Sequence, residues 1–372
     1  MPGVTTREGC RAATTNGFLI APLGRARRSA SSRLVSLDIV VNNPGRGRSD
    51  VAKKRRKDER GDGSPSGLDR VFALLDEAPA GLHDVAPPAA QLPSGLPEPL
   101  IDFYARCDGA RLFLDSLELA PSAEVEPRGE HWVFGSLEGE DLLIDARGRI
   151  WRSDESLDDL VCEGTRLDRW FAGIVDAIAL LYDADGEFAD GCFDEDGELL
   201  PAVGERQLRA MLKRDPGAPG PRWRLGHALL AQDSLAEGRA ELEEVVAGEP
   251  GFAWAWLDLA KISERLGELP GAIDEARTAA EAAAGHPQAG YFHAQLARLA
   301  ALAGDEATRA TAARRVAELA PELKADQLAG AQESLAAGDA ASARGLVDLL
   351  RAVWPRDLEV LELARQLETS DN

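Results

Sequence analysis

GDEATRATAARRVAELAP (residues 304–321) and GDAASARGLVDLLRAVWP (residues 338–355) are two copies of one pattern, with a proline 17 residues after a glycine. Asp233 and Pro250 keep the same spacing, and Gly267 and Pro287 stretch it to 20. Adding Pro216 in front gives five prolines, Pro216, Pro250, Pro287, Pro321 and Pro355, at intervals of 34, 37, 34 and 34 residues. A near-constant period of this size marks an array of helical repeats. The longer interval places three extra residues near Ala282–Gly285, in a loop or at a helix end. Each unit holds two amphipathic helices, the first ending at the Gly or Asp and the second before the proline. Proline cannot continue a helix, so it sets the turn into the next unit.

This pattern resembles the tetratricopeptide repeat. Leu225-Gly226, Trp256 with Leu259-Ala260, and Leu296-Ala297 match its first-helix signature. Gly238, Ala272 and Ala343 match the small residues where its helices cross, and Leu242, Val245, Val316, Val347 and Leu350 fill second-helix sites. Four repeats are expected over 219–355, with a helix at Glu205–Arg214 in front and Leu358–Leu367 capping the rear. Gly330 and Ser334 stand where larger packing residues are usual. Helical-repeat geometry aims Trp223, His227, Trp254, Lys261, Glu264, Tyr291, Arg298 and Gln332 at a concave side. Aromatics exposed in such a groove are peptide anchors. On the other reading, Trp223 and Trp254 seal contacts with a neighbouring helix or with the segment ahead of the array.

That segment, 68–200, reads differently. Leu68–Ala78 has helical spacing through Leu68, Val71, Phe72, Leu74 and Leu75, and a second helix runs from Leu96-Pro97 to a stop at Asp108-Gly109. Strand-like runs follow at Leu112–Leu114, Leu117–Leu119, His131–Phe134, Asp141–Asp145 and Arg149–Arg152. The last two flank Ala146-Arg147-Gly148 and are expected to form a hairpin. A helix over Arg166–Asp183 closes an α+β unit. Leu96-Pro97, Phe103-Tyr104 before Asp108-Gly109, Phe134-Gly135, Gly139, Asp141 and Leu142-Leu143-Ile144-Asp145 together resemble the SUKH superfamily. Gly109-Ala110 stands where that superfamily has Gly-Gly. The resemblance implies a recognition domain, used either in toxin immunity or in regulatory scaffolding.

Charge is unevenly spread. Residues 1–67 carry 14 Lys+Arg against 6 Asp+Glu, yet the chain's net charge is −22. Without sustained hydrophobic periodicity, 1–67 is expected to be disordered. Its run Lys53-Lys54-Arg55-Arg56-Lys57 reads as a solubilising tail or as an arm for an acidic surface. Val51 also reads as a start codon, which would make 1–50 untranslated. The acidic body disfavours nucleic acid and anionic membranes, whose phosphates need clustered cations. It favours a basic partner or simple solubility. Cys10, Cys107, Cys162 and Cys192 form no CxxC pair, and no apolar run is long enough to span a membrane. A cytoplasmic monomer is expected.

No phosphate loop, GxSxG elbow or HExxH is present, and the five histidines are scattered. The densest chemistry is Asp183, Asp185, Glu187, Asp190, Asp194, Glu195, Asp196 and Glu198, interleaved with Gly186, Gly191 and Gly197. Calcium would suit clustered carboxylates, but an EF-hand frame from Asp183 puts Phe188 and Asp194 where Gly and Glu are needed. The stretch therefore reads as an acidic linker or as a docking surface for a basic protein. The expected fold is an α+β SUKH-like domain followed by an all-α tetratricopeptide-like solenoid, with the boundary near 200. The expected function is non-catalytic protein recognition without cofactor or metal. The alternative is an enzyme or metal-binding protein using carboxylates of 183–198.

Overall fold

The computed structural model describes residues 67–77, 81–154, 157, 159–195 and 197–370. The basic run at 53–57 and the rest of 1–66 lie outside these, and Gly67 opens the first helix. The described chain runs α1 (Gly67–Glu77), β1 (His83–Val85), α2 (Glu98–Tyr104), β2 (Ala110–Leu112), β3 (Leu117–Leu119), β4 (Glu126–Arg128), β5 (His131–Leu137), β6 (Glu140–Asp145), β7 (Ile150–Asp154), β8 (Asp159–Gly164) and α3 (Leu167–Ala179). Ten helices follow: α4 (Pro201–Arg214), α5 (Pro219–Ala231), α6 (Leu235–Gly248), α7 (Ala253–Arg265), α8 (Leu269–Ala282), α9 (Ala289–Leu302), α10 (Glu306–Leu319), α11 (Leu323–Ala336), α12 (Ala340–Val353) and α13 (Leu358–Ser370).

The eight strands form one antiparallel sheet in the order β1-β2-β3-β5-β6-β7-β8, with β4 beside β3 along the same edge of β5. Its apolar face is covered by α3, whose Leu167, Trp170, Phe171, Ile174, Val175 and Ile178 recur at helical spacing and are all buried. Burying side chains of this size contributes roughly 2–3 kcal/mol each. The helix ends at Ala179 rather than Asp183 because Leu180–Tyr182 turn into the next hairpin. The strand expected at Leu112–Leu114 stops at Leu112. Phe113, Leu114 and Asp115 have φ of 55°, 55° and 71° and carry the chain around into β3. Two of the glycines have local reasons. Gly109 has φ +100° with Leu119 O 3.0 Å from where a Cβ would sit, and at Gly135 a Cβ would lie 2.2 Å from Glu118 O. Glu138 and Gly139, φ 54° and 89°, make the two-residue turn of the β5–β6 hairpin. β1, β4 and β8 were not foreseen.

In the helical half the periodic markers are backbone states. Asp233, Gly267, Gly304 and Gly338 have φ of 60°, 75°, 73° and 78°, the left-handed conformation that ends a helix and that Gly, then Asn or Asp, adopts most easily. Asp305 and Asp339 then cap the following helices, accepting from Thr308 N at 3.0 Å and Ser342 N at 3.1 Å. Asp215, Glu249, Ala320 and Trp354, each just before a marker proline, have φ from −122° to −145° and ψ from 63° to 80°. A following proline pushes its neighbour out of the helical region, so these residues break each second helix. The three extra residues lie after Ala282, where Gly285 (φ +89°) lengthens the loop before α9.

The pairs α5/α6, α7/α8 and α9/α10 stack in the expected way, each second helix packing on the next first helix. The last pair departs from it. α12, not α11, packs against α9 and α10, while α11 packs on α12 and α13. Leu349, Ala352 and Val353 of α12 join the array's main core, and Arg309 of α10 donates to Ala352 O at 2.6 Å. The other face of α12, with Ala343, Val347 and Leu350, forms a separate core with α11 and α13.

Candidate functional site

The first helices of the stacked pairs carry a polar strip centred on Asp258 of α7. Its Oδ2 accepts the Trp223 indole N–H at 2.9 Å and lies 2.9 Å from His227 Nδ1, both on α5. Its Oδ1 accepts from Lys261 Nζ at 2.9 Å. Burial alone would raise the Asp258 pKa, but Lys261 and His227 outweigh it and hold the carboxyl well below its ordinary value. Burial likewise opposes the charge on Lys261, but the Asp258 carboxylate raises its pKa regardless. One turn along, Glu264 takes both ends of the Arg298 guanidinium of α9 at 2.6 Å each, and Arg298 Nε donates to Gln295 Oε1 at 3.0 Å. Gln295 in turn donates to Tyr291 Oη at 3.0 Å. Sequence reasoning aimed His227, Lys261, Glu264, Tyr291 and Arg298 at a concave side; here they share two hydrogen-bond networks. It missed Asp258 and Gln295, although a carboxylate inside the apolar run Trp256–Ala260 was a usable signal.

The indoles are not exposed anchors. Trp223 is 2% exposed, Trp254 7% and Tyr291 8%, which fits the reading in which the indoles seal contacts and not the one of open groove anchors. Trp254 packs 4.7 Å from Phe292 between ring centroids, and Trp223 lies 5.3 Å from Phe252. The array's core also takes in Leu157 and Val161 from the β7–β8 hairpin. Gln288 donates to Leu157 O at 3.0 Å, and His286 Nε2 lies 3.4 Å from Asp159 Oδ2. The hairpin therefore shares one core with these aromatics. Gln332 does not join the strip either. It is exposed on α11, which the position of α12 separates from α9.

The seam is charged and buried. Arg224 of α5 meets Glu163 of β8, with Nη1 2.9 Å from Oε2 and Nη2 2.7 Å from Oε1. Arg152 of β7 adds Nε 3.5 Å from Glu163 Oε1, and Asp154 Oδ2 lies 3.8 Å from Arg224. Burial would raise the Glu163 pKa, but Arg224 and Arg152 hold it below its ordinary value. Gly220 admits no side chain here, since a Cβ would sit 2.8 Å from Cys162 O. Asp215 closes the edge, accepting from Thr165 N and Thr165 Oγ1 at 2.6 Å each. α4 bridges both halves: Gln207 donates to Ala177 O at 3.1 Å, and Arg214 to Asp176 at 2.6 Å.

The acidic stretch turns out to be a repeated turn. Asp183-Ala184-Asp185-Gly186-Glu187 is closed by Asp183 N to Glu187 O at 2.9 Å, and Asp183 Oδ1 accepts from Asp185 N and Glu187 N. Asp194 makes the equivalent bonds to Glu198 eleven residues on. Asp145 does the same in the β6–β7 turn, accepting from Arg147 N and Arg149 N. Asp185, Glu187, Asp190 and Glu195 face solvent, and Asp196 lies outside the described residues. Among the described residues no group of three or more His, Cys, Asp or Glu side chains is placed to hold a metal ion. Among them also, no helix is long and apolar enough to cross a membrane.

A tetratricopeptide-repeat family profile matches residues 229–296, from the end of α5 into α9. The C-terminal part carries tetratricopeptide repeats. Similar solved structures include a thermophilic tetratricopeptide protein of Thermus thermophilus, with 17% identity, 46% of this chain and 90% of that one covered, and TM-score 0.32. PilF of Pseudomonas aeruginosa shows 15% identity over 53% of this chain and 81% of that one, with TM-score 0.33. YrrB, described as a tetratricopeptide protein with an unusual peptide-binding site, shows 13% identity over 44% and 84%, with TM-score 0.30. No curated protein matches the sequence.

Proposed function

We propose that this chain is a non-catalytic, cytoplasmic, monomeric scaffold that binds a protein partner through its repeat array. The observation that carries this reading is the strip Lys261–Glu264–Arg298 on α7 and α9. These charged groups are held in fixed positions by ion pairs, keep 35% (Lys261), 22% (Glu264) and 16% (Arg298) of their side-chain surface exposed, and lie above an apolar core already filled by the chain itself. Pre-positioned charges give specificity to a polar segment laid across them, since little side-chain entropy remains to be lost on binding. On this reading the indoles shape the strip from beneath and the partner touches polar atoms.

We propose further that the boundary near residue 200 separates a SUKH-type recognition domain from the array, and that the front domain serves immunity or regulation. The antiparallel sheet backed by α3, with close-packed glycines at Gly109 and Gly135, supports this reading. The test is co-purification of the full chain from its native cell, alongside a Lys261→Glu/Arg298→Glu variant whose fold is verified by circular dichroism. A stoichiometric partner that the variant loses is the expected result. A partner retained by the variant, or none, refutes the strip as the binding surface. Co-expression with any toxin encoded beside the gene tests the immunity reading, with rescue of growth expected.

A further inference from the structure

Where α1, α3 and α4 meet the start of the sheet, the chain leaves a cavity of about 540 Å³. That volume lies within the range of built ligand sites. Its walls are apolar, from Leu74 of α1, Val175 of α3, and the rings of Phe113 and Tyr182. These two rings stack at 5.7 Å, and Phe113 meets His83 edge-on at 4.6 Å. The aromatic series then continues outward. Tyr182 lies 5.2 Å from Phe188, and Phe188 lies 5.2 Å from Phe193. Phe188 is 46% exposed. The two Asp-closed turns set this spacing, since the Asp183 turn brings Tyr182 and Phe188 together across an isolated bridge and the Asp194 turn follows directly. An exposed ring held rigid beside an apolar cavity is a binding surface that has already lost its conformational entropy.

Charge at the mouth chooses the partner. Glu77, Asp176 and Asp183 border the cavity with one lysine, Lys213, and Asp176 is neutralised by Arg214 at 2.6 Å. Beyond the mouth, Asp185, Glu187 and Glu195 flank Phe188 and Phe193 in sequence and face solvent. An anionic lipid or nucleic acid is repelled by this rim. Among the described residues these carboxylates form no group placed to hold a metal ion.

We propose that the cavity and its aromatic edge form a docking site for a basic amphipathic protein segment. An apolar side chain enters between Leu74 and Tyr182, and a Lys or Arg of the same segment lies over Phe188 among the carboxylates. Cation–π attraction and rim charge act on the same residue of the partner. This surface is separate from the polar strip on α7 and α9, so either can fail without the other.

The test uses the full chain and a fluorescein-labelled 18-residue peptide of Leu and Lys with helical periodicity, read by anisotropy in low and high salt. A scrambled peptide of equal composition is the control. The expected result is binding at least about tenfold tighter than the scrambled peptide, the range of a single interface anchor. Phe188→Ala and the cavity-filling Ala179→Trp should each weaken it about tenfold. Asp185→Asn/Glu187→Gln should weaken it in low salt only. Circular dichroism checks every fold, and having both a truncating and a filling variant keeps the test decisive if one misfolds. Equal binding of the scrambled peptide, indifference to both Phe188→Ala and Ala179→Trp, or no binding at all overturns the proposal.

Discussion

Arg224 on α5 faces Glu163 on β8 across the join between sheet and repeats, with two nitrogen–oxygen approaches of 2.9 and 2.7 Å and both side chains almost wholly buried. Removing one partner leaves a buried charge behind, which costs about 3–5 kcal/mol. Glu163→Gln and Arg224→Met should each lower the unfolding free energy by that much, seen as a lower urea midpoint at an unchanged slope. The double variant Arg224→Met/Glu163→Leu should recover only part of the loss, because Arg152 and Asp154 stay buried without those partners. Urea unfolding followed by circular dichroism reads all three.

Asp258 supplies a pH dependence with a definite sign. Its folded pKa is depressed below the ordinary 3.8, so its stabilisation is complete above that value and is lost as pH falls through the lower folded pKa. Thermal melts of the full chain should therefore show Tm falling as the solution is acidified below about pH 4. Asp258→Asn should lower Tm at pH 7 and flatten that acid limb. An unchanged acid limb in the variant would assign the loss to other carboxylates.

Gly135 is predicted to tolerate no side chain. A Cβ there would lie 2.2 Å from Glu118 O in the neighbouring strand, and the obstacle is backbone rather than a flexible side-chain end. Gly135→Ala should destabilise the protein by roughly 2–4 kcal/mol, in the range of overpacked or strained sites. Gly139→Ala meets nothing within 4 Å and is strained only by its φ of +89°, so its cost should be smaller. Comparing the two midpoints in one urea series checks the order.

The turn carboxylates should behave as backbone acceptors. Asp183→Asn and Asp194→Asn keep an acceptor oxygen and should change stability little, while the alanine variants should each cost about 1 kcal/mol. Added calcium should leave Tm unmoved in all of them. A calcium-dependent rise in Tm would restore a metal role for this stretch.

Burial pushes the Cys162 thiol up to about 12 and the Cys107 thiol up to about 11, despite the backbone bonds each makes. Thiolates are the reactive species, so neither should be alkylated by iodoacetamide at pH 8 in the folded protein. Both should be labelled fully in denaturant, as peptide mapping by mass spectrometry would show.

The repeat period was legible because it is written in local backbone chemistry. Gly304 and Gly338 take left-handed φ, Asp305 and Asp339 cap, and Pro321 and Pro355 forbid continuation, all within a few residues of sequence. The hairpin around Gly148 was legible for the same reason. β8 was not, because Glu163 in its run looks like a solvent residue until Arg224, 61 positions away, neutralises it. The burial of Trp223 and Trp254 was legible only as one of two readings, since the residues that share their core, Leu157 and Val161 among them, are distant in sequence. The clustered Asp and Glu of 183–198 drew attention as chemistry, but Asp183 and Asp194 are committed to their own turns.

The place of α12 against α9 and α10 fixes how this protein can grow. In an open solenoid, duplicating a unit at the far end lengthens the surface without disturbing what precedes it. Here the slot for a fourth first helix is already filled, and the face beyond belongs to a separate small core. A unit duplicated after Pro355 would find no matching surface to stack upon. Lengthening would have to come from insertion between α5 and α10, where second helix still meets next first helix, so the array has a set span and its recognition surface can be changed only by substitution or by internal duplication.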